Sequence, residues 1–186
     1  MTTRTMPRNW TRALLAALVL PACAAAPAPA PDASWKKETV EKLFTCEVPQ
    51  DWDAEPLSGD EPGSAYSDGL ARISAAFYAA PAGRFATPKA FLRDAESLGG
   101  PLKKAALTEV SGGHCERFQR RRQAEHRVKG RKSAEYIYEE FVLKPQAGGF
   151  WVLKLSSASR VYRDKPRGLQ AWDRFLSSFK LLPAKP

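Results

Sequence analysis

Histidine is nearly missing from this chain: His114 and His126 are the only two in 186 residues. Cysteine is almost as scarce, at Cys23, Cys46 and Cys115. A protein zinc site needs three or four converging ligands at recognisable spacing, and His114-Cys115-Glu116 sends neighbouring side chains to opposite faces of a strand. No metal and no cofactor is therefore expected. There is no G-x-S-x-G elbow, no Walker loop and no G-x-G-x-x-G turn, and neither Cys46 nor Cys115 stands in a reactive-site motif. The tight carboxylate pair Glu139-Glu140 lies in a strand pattern, where the two point apart and read as a solvated face. The chain is expected not to be an enzyme.

Acidic residues are absent from the first thirty positions, while Arg4, Arg8 and Arg12 precede the apolar run 13–20. That run ends at Pro21, far short of the ~20 residues needed to span a bilayer. A basic segment, a short apolar core and small residues after it are the marks of an export signal over 1–22. Loss of those three arginines takes the formal charge from +9 to +6. Leu20-Pro21-Ala22-Cys23 is similar to a bacterial lipobox, with proline where a small or β-branched residue is usual. It predicts lipidation of Cys23, and multiple acyl chains hold a protein at a membrane where a single chain does not. The competing reading is ordinary cleavage after an A-x-A pattern such as Ala22-Cys23-Ala24. The Pro/Ala tract that follows completes a tether over 23–34, extended and semi-rigid because alternate prolines remove donors. The expected location is lipid-anchored at the periplasmic face of the outer membrane, with a soluble periplasmic or secreted form as the alternative.

Residues 35–186 are left for one domain. Segment 42–48 alternates Phe44, Cys46 and Val48 on one face, and 71–79 alternates Ile73, Ala75 and Phe77; both predict half-buried strands. The polar stretch 53–69 reads as loop with a short strand near 64–67. Thr87 caps a helix, Pro88 fits its first turn, and Gly99-Gly100-Pro101 stops it, with Phe91, Ala95 and Leu98 on one face. Further strands are expected at 105–110, 114–121, 133–143 and 150–156, with Gly148-Gly149 making a tight hairpin. A last helix over 166–182 carries the apolar stripe Leu169, Trp172, Phe175, Leu176 and Phe179. The pattern predicts an α+β domain with a mainly antiparallel sheet and helices packed on it.

Four segments carry a resemblance: "VPQDW", "TPKAFL", "EYIYEEFVLKPQAGGFWVLKLSSAS" and "WDRFLSSFKLL". Across about residues 38–182 this order resembles the PsbP-like superfamily. The resemblance implies an α/β/α sandwich with a central antiparallel sheet and helices on its faces. It implies a binding or assembly role without a shared catalytic motif, and members include bacterial envelope proteins.

Charge is the strongest local anomaly. Arg117, Arg120, Arg121, Arg122, Arg127, Lys129, Arg131 and Lys132 crowd one stretch, with Glu116 and Glu125 as the acids beside them. The stretch reads as a strand end, a loop holding Gly130 and a strand start. Such a basic tip suits an envelope protein with an acidic surface or an anionic lipid or glycolipid; the plain alternative is a decorated edge that discourages strand pairing. No nucleic-acid motif accompanies it, so no nucleic acid is expected. Cys46 and Cys115 are read as either a disulfide or two buried thiols. The expected function is a non-catalytic binding or assembly module of the envelope. The alternative is a hydrolase or small-ligand-binding accessory with a cleft beside the 53–69 loop.

Overall fold

The computed structural model describes residues 34–57, 59, 61–128, 131–158 and 167–183, with side chains for all of these except 125–128, 131–133 and 167. Cys23, the export signal and the Pro/Ala tether lie outside the described residues.

Alternation in the sequence becomes two antiparallel sheets. β1 (Trp35–Val40), β2 (Phe44–Pro49) and β11 (Lys180–Leu181) form the small one, in the order β1-β2-β11. The large sheet contains β3 (Asp53–Pro56), β4 (Gly63–Ser67), β5 (Ala71–Ala79), β6 (Lys103–Lys104), β8 (Gly113–Val128), β9 (Arg131–Gln146) and β10 (Gly149–Ala158). Its order is β3-β4-β5-β10-β9-β8-β6, and β7 (Thr108–Val110) pairs on β8 off that path. At the β9–β10 turn Gln146 pairs with Gly149, and Gly148 takes the left-handed φ of 77° that a tight turn demands.

Helix α1 (Pro88–Gly99) starts where Thr87 accepts a hydrogen bond from the Ala90 N–H at 3.1 Å, and Gly100 closes it by donating to the Glu96 carbonyl at 2.8 Å. Phe91 and Ala95 are buried, but Leu98, expected on the same face, is 76% exposed. Helix α2 (Arg167–Ser178) turns Ala171, Trp172, Phe175 and Leu176 inward.

Each face of the large sheet owns a core. On one side Tyr66, Ile73, Val142, Trp151 and Leu153 pack with Phe44 of β2 and with Trp172 and Phe175 of α2. On the other, Phe141, Leu143, Phe150 and Val152 meet Phe85 and the α1 residues Phe91 and Ala95. At about 1.5–3 kcal/mol per fully buried large apolar side chain, these two layers dominate the folding free energy.

The α/β/α sandwich expected from the sequence is not what forms. Among the described residues the chain is mostly β, with eleven strands and two 12-residue helices. The second small sheet takes much of the covering that helices were expected to provide. Segments 35–40, 53–56 and 122–128 carried too little apolar alternation to be read as strands, yet all three are strands. Each pairs through its backbone, which periodicity cannot reveal, and all four residues of β3 are exposed. The last helix also ends earlier than expected, at Ser178, and Lys180–Leu181 then pairs with β2.

Candidate functional site: an anchored basic hairpin

Strands β8 and β9 pair from Glu116↔Leu143 out to Val128↔Arg131, so the described part of the basic stretch forms the two arms of one long ribbon, and the connection expected at Gly130 lies outside the described residues. Opposed residues in an antiparallel pair share a face. Arg117, Gln119 and Arg121 therefore lie with Val142, Glu140 and Tyr138 on the α2 side. Phe118, Arg120 and Arg122 lie with Phe141, Glu139 and Ile137 on the α1 side.

This register decides what each arginine does. Glu139 and Glu140 are each 1% exposed, so the solvated face expected for them is wrong. They do point to opposite faces, and each is met by its own cations. Arg120 Nε donates to Glu139 Oε2 at 2.7 Å and Arg122 Nε to the same oxygen at 3.1 Å. Lys154 from β10 reaches Glu139 Oε1 at 2.8 Å. The Arg120 guanidinium also donates to the carbonyls of Ala95, at 2.5 Å, and Gly100, at 3.1 Å, tying the ribbon to the C-terminal end of α1. Across the sheet, Arg117 Nε donates to Glu140 Oε2 at 2.6 Å. The Trp172 indole N–H donates to the same oxygen at 2.8 Å, and the Tyr138 hydroxyl to Oε1 at 2.5 Å. A buried carboxylate survives only when paired and hydrogen-bonded, and both are.

Burial alone would raise the Glu139 carboxyl. Lys154 and Arg120 outweigh it and hold the group at about 2. Glu139 is thus ionised throughout the neutral range and fixes three cations in place.

Above these anchors the ribbon carries on alone among the described residues. The last rung of β10 on β9 is Ala158↔Ile137, and β9 runs six residues further toward the tip, back to Arg131. At about 3.4 Å per residue that is a projection of about 20 Å. At its foot, on the Tyr138 rung that Ser157 still pairs, Arg121 is exposed, its guanidinium 4.0 Å from the ring centroid of Tyr136, which stands on the projecting part and is 46% exposed. Arg127, Arg131 and Lys132 occupy rungs of the ladder, but their side chains, and Lys129 altogether, lie outside the described residues. The eight basic residues singled out in the sequence therefore divide: Arg117, Arg120 and Arg122 belong to the fold, and Arg121 faces solvent. Register and face make the division: Arg120 is paired with Glu139, and Arg117 and Arg122 stand two rungs from Glu140 and Glu139 on the same face, whereas Arg121 pairs with Tyr138.

Cys46 and Cys115 are free thiols in this structure, both buried in the α2-side core. Burial pushes the Cys46 thiol up to about 12 and raises Cys115 as well, and Cys46 Sγ donates to the Tyr66 hydroxyl at 3.5 Å. Neither is an available nucleophile near neutrality. His114 and Glu116 are exposed, and no group of three metal-ligating side chains forms among the described residues.

A second feature lies beside the 53–69 segment: an open cleft of about 530 Å³ between β1, the turn after it, and the β3–β4 hairpin. Val40, Leu43 and Leu57 give it apolar surface, and Glu38, Glu41, Glu55 and Glu61 line it without a lysine, arginine or histidine among the lining residues.

No family model and no curated protein matches the chain, so membership of the PsbP-like group is not shown. Among solved structures, the chain is similar to LpqN, described as involved in cell envelope biogenesis of Mycobacterium tuberculosis. The identity is 15%, with 75% of this chain and 83% of that one covered and a TM-score of 0.43. It is also similar to PA94 from Pseudomonas aeruginosa, a protein of unknown function described as a putative regulator, at 14% identity. There 82% of this chain and 98% of that one are covered, with a TM-score of 0.33. Neither likeness is close enough to transfer a role.

Proposed function

We propose that this chain is a non-catalytic binding or assembly module of the cell envelope, tethered through lipid on Cys23 and engaging an acidic protein surface with the β8–β9 tip. The observation that carries the reading is the anchored ribbon. Two buried carboxylates with their cations fix its base, Arg121 faces solvent at the foot of the projection, and a length of about 20 Å bearing Arg127, Arg131 and Lys132 extends past the sheet among the described residues. A rigid mount lowers the ordering cost of binding, and a basic tip speeds encounter with an acidic partner. The tether supports the same picture, since a Pro/Ala spacer sets a domain off from the surface that holds it.

The test uses the full chain as bait in envelope extract at low and high salt, beside a variant with Arg121, Arg127, Arg131 and Lys132 changed to Gln. Arg117, Arg120 and Arg122 stay untouched because they hold the fold. A defined protein retained at low salt by wild type and lost with the variant is the expected result. Equal recovery by both, or recovery by neither, reduces the tip to a solvated edge; retention of anionic lipid instead of protein replaces the partner class. For the anchor, Cys23→Ala is expected to leave the membrane fraction, and a variant still bound at high salt overturns lipidation.

The cleft of about 530 Å³ beside 53–69 favours a second reading, a small-ligand or hydrolytic accessory. Its test is a ligand or ester panel read against the cleft change Glu41→Gln with Glu61→Gln; activity insensitive to that change removes it.

A further inference from the structure

Helix α1 does not cover its side of the large sheet completely. A hollow of about 300 Å³ remains between the helix and strands β5, β9 and β10. We propose that this hollow binds a small amphipathic anion, a carboxylate on a compact acyl or aryl body. The carboxylate lies at Lys154 and the apolar body extends toward Tyr78.

Small side chains make the space. α1 packs Phe91 and Ala95 with Phe141, Phe150 and Val152. On the neighbouring strand β5, Tyr78 pairs with Phe150, Ala76 with Val152 and Ser74 with Lys154, so all three β5 residues share that face. Ser74 and Ala76 are short, and the room above them stays open. From Tyr78 to Ser74 the strand rises about 13 Å. The volume equals that of about ten waters, at the lower end of small-molecule sites. Such dimensions suit a medium-chain acyl group or two fused rings, not a peptide.

The two ends of the hollow differ in charge. Burial raises the Tyr78 hydroxyl, Glu61 raises it further, and Arg84 and Asp94 act on it in opposite senses. These charges therefore gather at the tyrosine end. Arg84 lies over the Phe85 ring, 4.9 Å from its centroid, and reaches Asp94 at 3.8 Å. Two acids against one base turn an anionic head away from that end. At the other end Lys154 reaches Glu139 at 2.8 Å and stands 5.3 Å from the Phe141 ring centroid. Glu139 also holds Arg120 and Arg122, so three cations share one carboxylate. An ammonium has three donors, and Glu139 occupies one side of this one. The surplus of positive charge beside an aromatic wall is the complement of one more carboxylate.

Leu98 marks the mouth at the cationic end. It lines the hollow yet is 76% exposed, and the next residue, Gly99, abuts the Arg120 guanidinium. A charge placed at Leu98 changes the field on a bound head without disturbing a packed side chain. The hollow shares Leu57 and Glu61 with the cleft beside 53–69, but Ser74, Ala76 and Lys154 belong to the hollow alone.

Calorimetric titration tests the site. Full-length chain in nanodiscs of zwitterionic lipid is titrated with octanoate, 1-naphthoate and octyltrimethylammonium, and empty discs are titrated in parallel. At least one of the two anions is expected to bind saturably at one site per chain; which of them binds tells whether the body is acyl or aryl. The cation is expected to bind at least about tenfold more weakly, as is the anion to Lys154→Gln, the factor a hydrogen bond to a charged group supports. Ser74→Trp fills the hollow and is expected to abolish binding. Leu98→Glu is expected to weaken the anion by about fivefold and Leu98→Lys to tighten it by about as much, with the difference shrinking at about 1 M salt. The exposed Leu98 pair decides the matter even if Ser74→Trp or Lys154→Gln fails to fold. No saturable binding of either anion, a cation that binds equally well, anion binding unchanged in folded Ser74→Trp, or equal affinity in the two Leu98 variants overturns the proposal. None of these changes touches the β8–β9 tip, so the hairpin reading stands or falls on the capture experiment alone.

Discussion

The base and the tip of the β8–β9 ribbon are built from the same residue types, yet the structure uses them in opposite ways. At the base, Arg120 is 7% exposed and its guanidinium serves Glu139, Ala95 and Gly100 at once. One residue along, Arg121 lies exposed against a tyrosine ring. Strand alternation separates them: even positions here turn toward α1, odd ones toward α2, and α2-side cover ends before Arg121. The difference teaches that an arginine-rich run has no single meaning until register and cover are known.

Breaking the base should have the largest effect. Arg120→Met keeps most of the side-chain volume but leaves Glu139 short of a cation and removes the donor to the Ala95 and Gly100 carbonyls. Removing one member of a buried pair typically costs about 3–5 kcal/mol, and about 4 kcal/mol is expected in denaturant unfolding. A loss below about 1 kcal/mol would mean that Arg122 and Lys154 suffice, and that Arg120 is no anchor.

The second test uses acid. Glu139 titrates at about 2 when folded, against an ordinary 4.5. A depressed carboxylate stabilises the fold fully above its unfolded value and loses that contribution as pH falls through the folded one. Stability should therefore decline between about pH 4.5 and 2, by on the order of 3 kcal/mol from this group. Glu139→Gln should be less stable at pH 7 and should lose correspondingly less stability over that window. An unchanged acid slope would place the acid sensitivity elsewhere.

The third perturbation distinguishes packing from propensity. Alanine normally exceeds glycine inside a helix by about 1 kcal/mol. At Gly99, however, a Cβ would overlap the Arg120 guanidinium, which its three partners hold in place. Gly99→Ala is expected to destabilise by about 1 kcal/mol in wild type and to stabilise in the Arg120→Met background, a coupling that a double-mutant cycle would read directly.

These pairings also explain how much was legible beforehand. Thr87, Pro88 and Gly100 announce α1, and the apolar stripe of α2 announces its burial, because caps and periodicity are local signals. The β3 strand was hidden because a strand exposed on both sides has no apolar period, and the outer half of β8 because its sequence shows none. Layer composition was hidden too: whether the large sheet is covered by helices or by a second sheet depends on where β1, β2 and β11 pair, which is non-local. At the site, the sequence displayed the charge but not its partition. Glu139-Glu140 looked solvated since adjacent carboxylates in a strand usually are, and only the register with Arg117 and Arg120 shows each buried beneath its own cation.

The smallest effect should come from Arg121, the exposed arginine at the foot of the projection. Arg121→Gln removes a guanidinium 4.0 Å from the Tyr136 ring, and at an exposed position such a contact is worth about 0.5 kcal/mol. Neither face of that site is close-packed, so no cavity term adds to it. Denaturant midpoint and slope should both stay near wild type, whereas salt-sensitive association should weaken. Had Arg121 been an anchor like its neighbour, the same substitution would cost several times more. A measured loss above about 2 kcal/mol would erase the division between base and tip, and with it the case for a binding surface distinct from the fold.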